Sequence, residues 1–191
     1  MKIDSLTREE AALWLETLGH RKDAEWLRET SMIHAINVAI TQLGIHEDTG
    51  KNDGIPAERY MRGDELAWCA GFVLYCFDES DDPDLWDVGL GPNEGKDSDY
   101  WKLRNVATME SYMKDRGVWL GWNVPPQRND IIFFANRGRS DPGSGRHVGI
   151  VEGLDGSTVR TIEGNVGNKV ARLRHERSDD RITGFARIAP I

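Results

Sequence analysis

Apolar residues recur at helical spacing through the first third of the chain. Ala11, Leu15 and Leu18 follow the capping-box pattern Thr7-Arg-Glu-Glu10, and Gly19 is a natural stop. Residues 22–29 predict a second short helical piece carrying Trp26 and Leu27. Met32, Ile33, Ile36, Ile40 and Leu43 form an apolar stripe closed by Gly44. Gly44, Gly50, Gly54, Pro56 and Gly63 mark residues 44–63 as loop. Residues 65–77 are apolar on every side, which predicts a buried helix. Asp, Pro, Gly and Asn crowd residues 78–100, an exposed acidic loop by composition. Residues 101–116 predict a polar helix ending at Gly117.

From residue 118 the period changes. Residues 130–135, 147–152, 158–163, 169–173 and 182–188 are short, β-branched or aromatic, and separated by turn residues. Helices first and strands second predict an α+β fold, with N-terminal helices packed on a four- to six-stranded antiparallel sheet. Residues 1–30 are too short for a core of their own and are expected to be a helical N-terminal extension. Residues 31–191 are then the main domain.

Composition narrows the function classes. The 191 residues are 39% hydrophobic, as expected for a globular chain, and no apolar run approaches the ~20 residues of a membrane helix. The net charge is −8, unevenly spread: residues 1–100 hold 9 Lys+Arg against 22 Asp+Glu, and the rest hold 15 against 10. The acidic excess argues against a nucleic-acid partner. The start, MKIDSLTREEAALW, lacks the basic-then-apolar pattern of a secretory signal. The protein is therefore expected to be made in the cytoplasm. Action elsewhere would need lysis-type release or dedicated secretion.

Two cysteines, Cys69 and Cys76, share the apolar stretch. On a helix they stand about 10 Å apart along the axis, too far for a disulfide. Without a CxxC or a His/Cys cluster, no zinc site is expected. Cys69 falls near the first turn, after Asp64 as a plausible N-cap, where helix amides and dipole favour a thiolate. Cys76, two turns on, reads as an inert core residue. His147 follows a glycine-rich segment at the start of a strand. His20, His34, His46 and His175 carry no such context.

The turn between two strands adds a third group. A three-residue loop Leu154-Asp155-Gly156, a type I turn with a G1 bulge, places His147 directly opposite Glu163, with Asn165 on the same side. A two-residue Asp155-Gly156 loop would shift the register by one and break that alignment. A thiol on a helix N-terminus, a strand histidine and a carboxylate or amide behind it are the parts of a papain-like thiol hydrolase. The Cys69 amide and a neighbouring donor would hold the oxyanion.

These residues resemble a known family. The segment Trp68-Cys-Ala-Gly-Phe-Val73 is similar to the nucleophile motif of the CHAP family, the cysteine- and histidine-dependent amidohydrolases/peptidases, relatives of NlpC-like cell-wall peptidases. Leu43-Gly-Ile-His-Glu47, Asn52-Asp-Gly54 and Tyr60 resemble the approach to the cysteine in one branch. Asn129-Asp-Ile-Ile-Phe-Phe134 resembles the strand preceding the histidine, His147-Val-Gly-Ile-Val151 the histidine strand, and Thr161-Ile-Glu-Gly-Asn165 the closing motif. The match runs from about residue 32 to 188.

The resemblance implies a papain-like CHAP fold and a peptidoglycan hydrolase. The bond cut would be N-acetylmuramoyl-L-alanine or an amide within the stem or cross-bridge peptides. It makes Cys69 the nucleophile, His147 the general base and acid, and Glu163 with Asn165 the orienting groups. Trp68 and Arg146 are expected on the substrate side. Some members bind calcium ahead of the cysteine. Glu47, Asp48, Asn52, Asp53 and Asp64 lie there without regular ligand spacing, so no metal or other cofactor is expected. Peptidoglycan is the expected partner, with an immunity protein or a delivery apparatus as further candidates. An endolysin and an antibacterial effector both fit. The competing readings are a thiol acyltransferase or protease with a non-wall substrate, and a non-catalytic interaction module. Residues 78–100 are a longer acidic insert than the family pattern leads one to expect, and residues 1–30 resemble no wall-binding module.

Overall fold

The computed structural model describes residues 13, 15–22, 34–80, 102–140 and 146–188. The predicted capping box, most of the 22–29 piece, Met32 and Ile33, and nearly all of the acidic loop lie outside them. The chain divides into two compact units, Met1–Ile33 and His34–Ile191. In the first, residues 15–17 and 21–22 are helical. The second carries α1 (Ala35–Thr41), α2 (Ile55–Tyr60), α3 (Cys69–Asp78) and α4 (Val106–Asp115), then strands β1 (Trp119–Gly121), β2 (Ile131–Ala135), β3 (Arg146–Asp155), β4 (Thr158–Glu163), β5 (Ala171–Glu176) and β6 (Ile182–Ala186).

The strands form one sheet in the order β1-β6-β2-β3-β4-β5, and every neighbouring pair is antiparallel. The fold is α+β, as the switch of period predicts. Helix α3 is the centre of the larger core. Phe72, Val73, Leu74 and Phe77 are buried with Ile36 of α1, Met109 and Met113 of α4, and Phe133, Val148, Ile150 and Ile162 of the sheet. Each such side chain contributes about 1.5–3 kcal/mol by leaving water. The opposite face of the sheet buries a smaller cluster of Ile132, Phe134, Val151, Val159, Ile182 and Phe185. Among the described residues no helix is long and apolar enough to cross a membrane.

Several boundaries differ from the sequence reading, each for a local reason. Helix α3 begins at Cys69, with Trp68 at the N-cap position and no side-chain cap. Asp64 is not its cap; the carboxylate pairs with Arg104 instead. The segment expected to be all loop contains α2, because Pro56 pre-sets the first helical turn. The polar helix starts later than expected, at Val106, because the Asn105 side chain accepts from Ala107 and Thr108 N–H at 3.0 and 3.2 Å. The short strand β1 is absent from the sequence reading. Three residues of Trp-Leu-Gly show no alternation, and only pairing with β6 makes them a strand.

The hairpin differs most. Strands β3 and β4 run to Asp155 and resume at Thr158, so the loop is the two residues Gly156-Ser157. The pairs next to the turn are Asp155↔Thr158, Leu154↔Val159 and Gly153↔Arg160. A bulge between Val151 and Gly153 then shifts the register, giving Val151↔Thr161 and Ile150↔Ile162. One residue gained in the bulge offsets the shorter loop. His147 and Glu163 therefore keep the same face, but Glu163 stands across from Gly149 rather than from His147.

Candidate active site

Glycine at position 149 lets the two side chains meet. A Cβ there would lie 2.4 Å from the Glu163 Cγ. With that space open, Glu163 crosses diagonally over the ladder, and its Oε2 lies 2.8 Å from His147 Nε2. Such diagonals are within reach of long side chains. His147 is the second residue of β3, paired with Phe134 of β2, and its ring packs on Phe134 with centroids 5.9 Å apart.

Cys69 is the first residue of α3 and is 8% exposed. Its thiol lies close enough to the His147 ring to bear on the charge of the imidazole. Since Nε2 faces Glu163, Nδ1 is the nitrogen left for the thiol. Burial by itself would keep His147 neutral. The hydrogen bonds and charges of Cys69 and Glu163 outweigh it and raise the imidazole from 6.5 to about 10. Glu163 is 1% exposed. Burial again opposes its charge, but His147, His175 and Thr161 overcome that and hold the carboxyl well below the usual range. The site thus favours a charged imidazolium held by the Glu163 carboxylate. The other thiol, Cys76, is fully buried and pushed up by desolvation. Both cysteines are free.

The first three N–H groups of any helix lack intrahelical acceptors. At the start of α3 those belong to Cys69, Ala70 and Gly71, beside the thiol. Gly164 seats the closing motif against this helix: a Cβ there would meet Phe72 Cβ at 2.6 Å and the Trp68 ring at 2.8 Å. The glycines of both motifs are therefore points of close approach.

A cleft of about 500 Å³ opens beside Cys69, with Met61, Leu66, Val106, Arg104 and Arg146 on its walls. Leu66 is exposed at its edge. Arg146 pairs with the buried Glu110, which also holds Lys114 Nζ at 2.5 Å. The arginine expected on the substrate side does line the cleft that contains the thiol. Arg104 lines it too and was not singled out from sequence, because no motif surrounds it.

Trp68 and Asn165 depart from expectation. Trp68 has no exposed surface, so it cannot touch a substrate. Its indole N–H donates to Glu47 Oε1 at 2.8 Å, and Tyr60 stacks on it at 5.4 Å. Glu47 Oε2 accepts from the Asn52 amide at 2.9 Å, and the Asn52 side chain accepts from Asn165 Nδ2 at 3.2 Å. Asn165 shares a cavity with His147 and Glu163, but its bond goes to Asn52. The approach segment before the cysteine is thus a bracket joining Trp68, Glu47, Asn52 and Asn165. Trp68→Phe is expected to leave KM unchanged and to cost about 1–3 kcal/mol of stability, since a buried carboxylate loses a donor. Steady-state kinetics with a denaturant melt checks both.

The acidic residues ahead of Cys69 have protein partners. Glu47 is engaged as above, Asp53 accepts from Thr49 at 3.0 and 2.6 Å, and Asp64 pairs with Arg104. Among the described residues no group of three His, Cys, Asp or Glu is placed to hold a metal ion.

A thiol at a helix N-terminus, a strand imidazole and a carboxylate behind the imidazole define the papain-like class of site. The CHAP domain profile matches residues 61–165, more than half of the chain. The chain belongs to the CHAP family. None of the curated proteins matches it. Among solved structures it is similar to the crystal structure of Ly7917, at 16% identity and a TM-score of 0.45. That likeness covers 80% of this chain and 60% of the other.

Proposed function

We propose that the protein is a peptidoglycan hydrolase that cuts an amide bond of the bacterial cell wall through a thiol nucleophile. The observation that carries this is the coupling of Cys69 to His147, whose far nitrogen is held by Glu163, beside an open cleft. Family membership supports the choice of substrate.

In this reading the Cys69 thiolate attacks the amide carbonyl carbon. The Cys69 N–H and an adjacent helix amide face the developing oxyanion. The His147 imidazolium gives its proton to the leaving amine, and a thioester remains on Cys69. Water, losing a proton to His147, then releases the acid. Glu163 holds the ring in place and stabilises its charged form through both steps. The apolar cleft wall suits short aliphatic side chains such as alanine. Arg104 and Arg146 suit the carboxylates of a stem peptide.

The test is digestion of purified sacculi with mass spectrometry of the released fragments. A new free amine at one defined position supports the reading. An acyl-enzyme formed on Cys69 only from non-wall substrates would overturn it in favour of an acyltransferase or protease. Arg146→Ala is expected to raise KM about tenfold with little change in kcat, and to flatten the salt dependence of hydrolysis. Kinetics on soluble muropeptides at two salt concentrations would check this. Release by lysis or by a secretion apparatus belongs to the same proposal, and a matching immunity protein would favour the second route.

A further inference from the structure

The carboxylate that orients His147 has a second histidine on it. Strand β5 alternates between half-buried and exposed residues, and His175 is on the inward side with Leu173 and Ala171. Glu163 pairs with Ala171, and His175 with Val159, so both side chains stand on one face of the sheet. They lean together until His175 Nε2 lies 2.7 Å from Glu163 Oε1. The same oxygen accepts from the Thr161 hydroxyl. Glu163 Oε2, the other oxygen, serves His147. Phe134 supports both imidazoles, with centroids 5.9 Å from His147 and 4.8 Å from His175.

A carboxylate this deeply buried is costly unless its lone pairs are satisfied. With His147 on Oε2, only the rotatable Thr161 hydroxyl would hold Oε1. The ring N–H of His175 adds a second, rigidly placed donor there, which fixes the carboxylate plane and keeps Oε2 aimed at His147. Resting on the reading of Cys69 and His147 as the catalytic pair, we propose that His175 is a positioning residue that locks Glu163 toward His147.

Charged groups surround His175. From β4 it faces Glu163, and through Glu163 it is linked to His147 of β3. From the turn before β6 come Asp179 and Arg181, bound to each other, with Arg181 on the wall of the same 330 Å³ cavity. Asp179 interacts with His175 through its charge, and Arg181 with Glu163.

The experiment reads the pH dependence of Cys69 alkylation by iodoacetamide, by mass spectrometry of the Cys69 peptide in the full chain. Wild type, His175→Gln, His175→Phe and His147→Ala are compared, each with a thermal melt. Gln donates an N–H in place of the ring, and its alkylation profile is expected to follow that of wild type, whereas Phe should alkylate more slowly. Phe keeps the packing on Phe134 but donates nothing. Its kcat for hydrolysis is expected to fall about tenfold with KM within about twofold, and Gln should restore most of the loss. A Phe variant with wild-type kcat overturns the proposal, whatever the melts show. So does a Gln variant that restores none of the Phe loss. If His147→Ala also leaves alkylation unchanged, the catalytic-pair reading fails with it. If only His147→Ala alters alkylation, the failure belongs to His175 alone.

Discussion

Cys69→Ala is expected to abolish amide hydrolysis, with kcat falling by about 10⁴-fold or more, while the fold persists. Cys69 is the first residue of α3 and 8% exposed, so removing one sulfur takes little from the core. Alanine is also a good helix residue there. The loss is therefore chemical. Without the thiolate there is no acyl intermediate, and the helix amides and His147 have only water to activate. Cys76→Ala is the control: that thiol is buried in the core, so it should change stability and leave the rate alone. Release of free amines from sacculi, with circular dichroism of each variant, checks both.

Glu163→Gln carries the second large effect. Its shape is nearly that of glutamate, but it has no charge to hold the His147 imidazolium. A kcat loss of about 10²–10⁴-fold is expected, the range for neutralising the carboxylate behind a catalytic histidine. His147 should also titrate well below about 10, so the alkaline limb of the rate profile moves to lower pH. Stability follows from the same shifts. Burial opposes the charge on Glu163, but its histidine and threonine partners lower the carboxyl from 4.5 to about 2. Its contribution is full above about 4.5 and is lost as pH falls toward 2. The raised imidazole has the opposite sense: its contribution is full below 6.5 and is lost as pH rises through about 10. Wild type and Glu163→Gln should therefore differ most in melting temperature between about pH 4.5 and 6.5, and converge at acid pH. Melts across that range decide it. A constant difference would mean that Glu163 acts by packing alone.

The uneven charge also finds its place in the site. Cys69 comes from the acidic half of the chain, and His147 and Glu163 from the basic half. They meet in one unit, His34–Ile191, so the charge split is no domain boundary. Arg104 and Arg146 give the cleft beside the thiol its positive groups.

What could be read from the chain alone was whatever depends on near neighbours. The period of apolar residues specifies α1, α3 and α4 and five of the six strands, because burial on one face repeats every 3.6 or 2 residues. Cys69 in its motif, His147 on its strand and Glu163 near the hairpin were legible for the same reason. What lies in the pairing of distant segments was not. Strand β1 exists only because β6 lies beside it. Two offsetting local departures, a shorter loop and a bulge, hide from sequence the fact that Glu163 faces Gly149. Trp68 carries the same motif whether it faces a substrate or Glu47, and only packing turned it inward. Asn165 is drawn to Asn52, more than a hundred positions away. His175 has no motif at all. Its place on Glu163 comes from the pairing of β4 with β5, which sets both side chains on one face of the sheet.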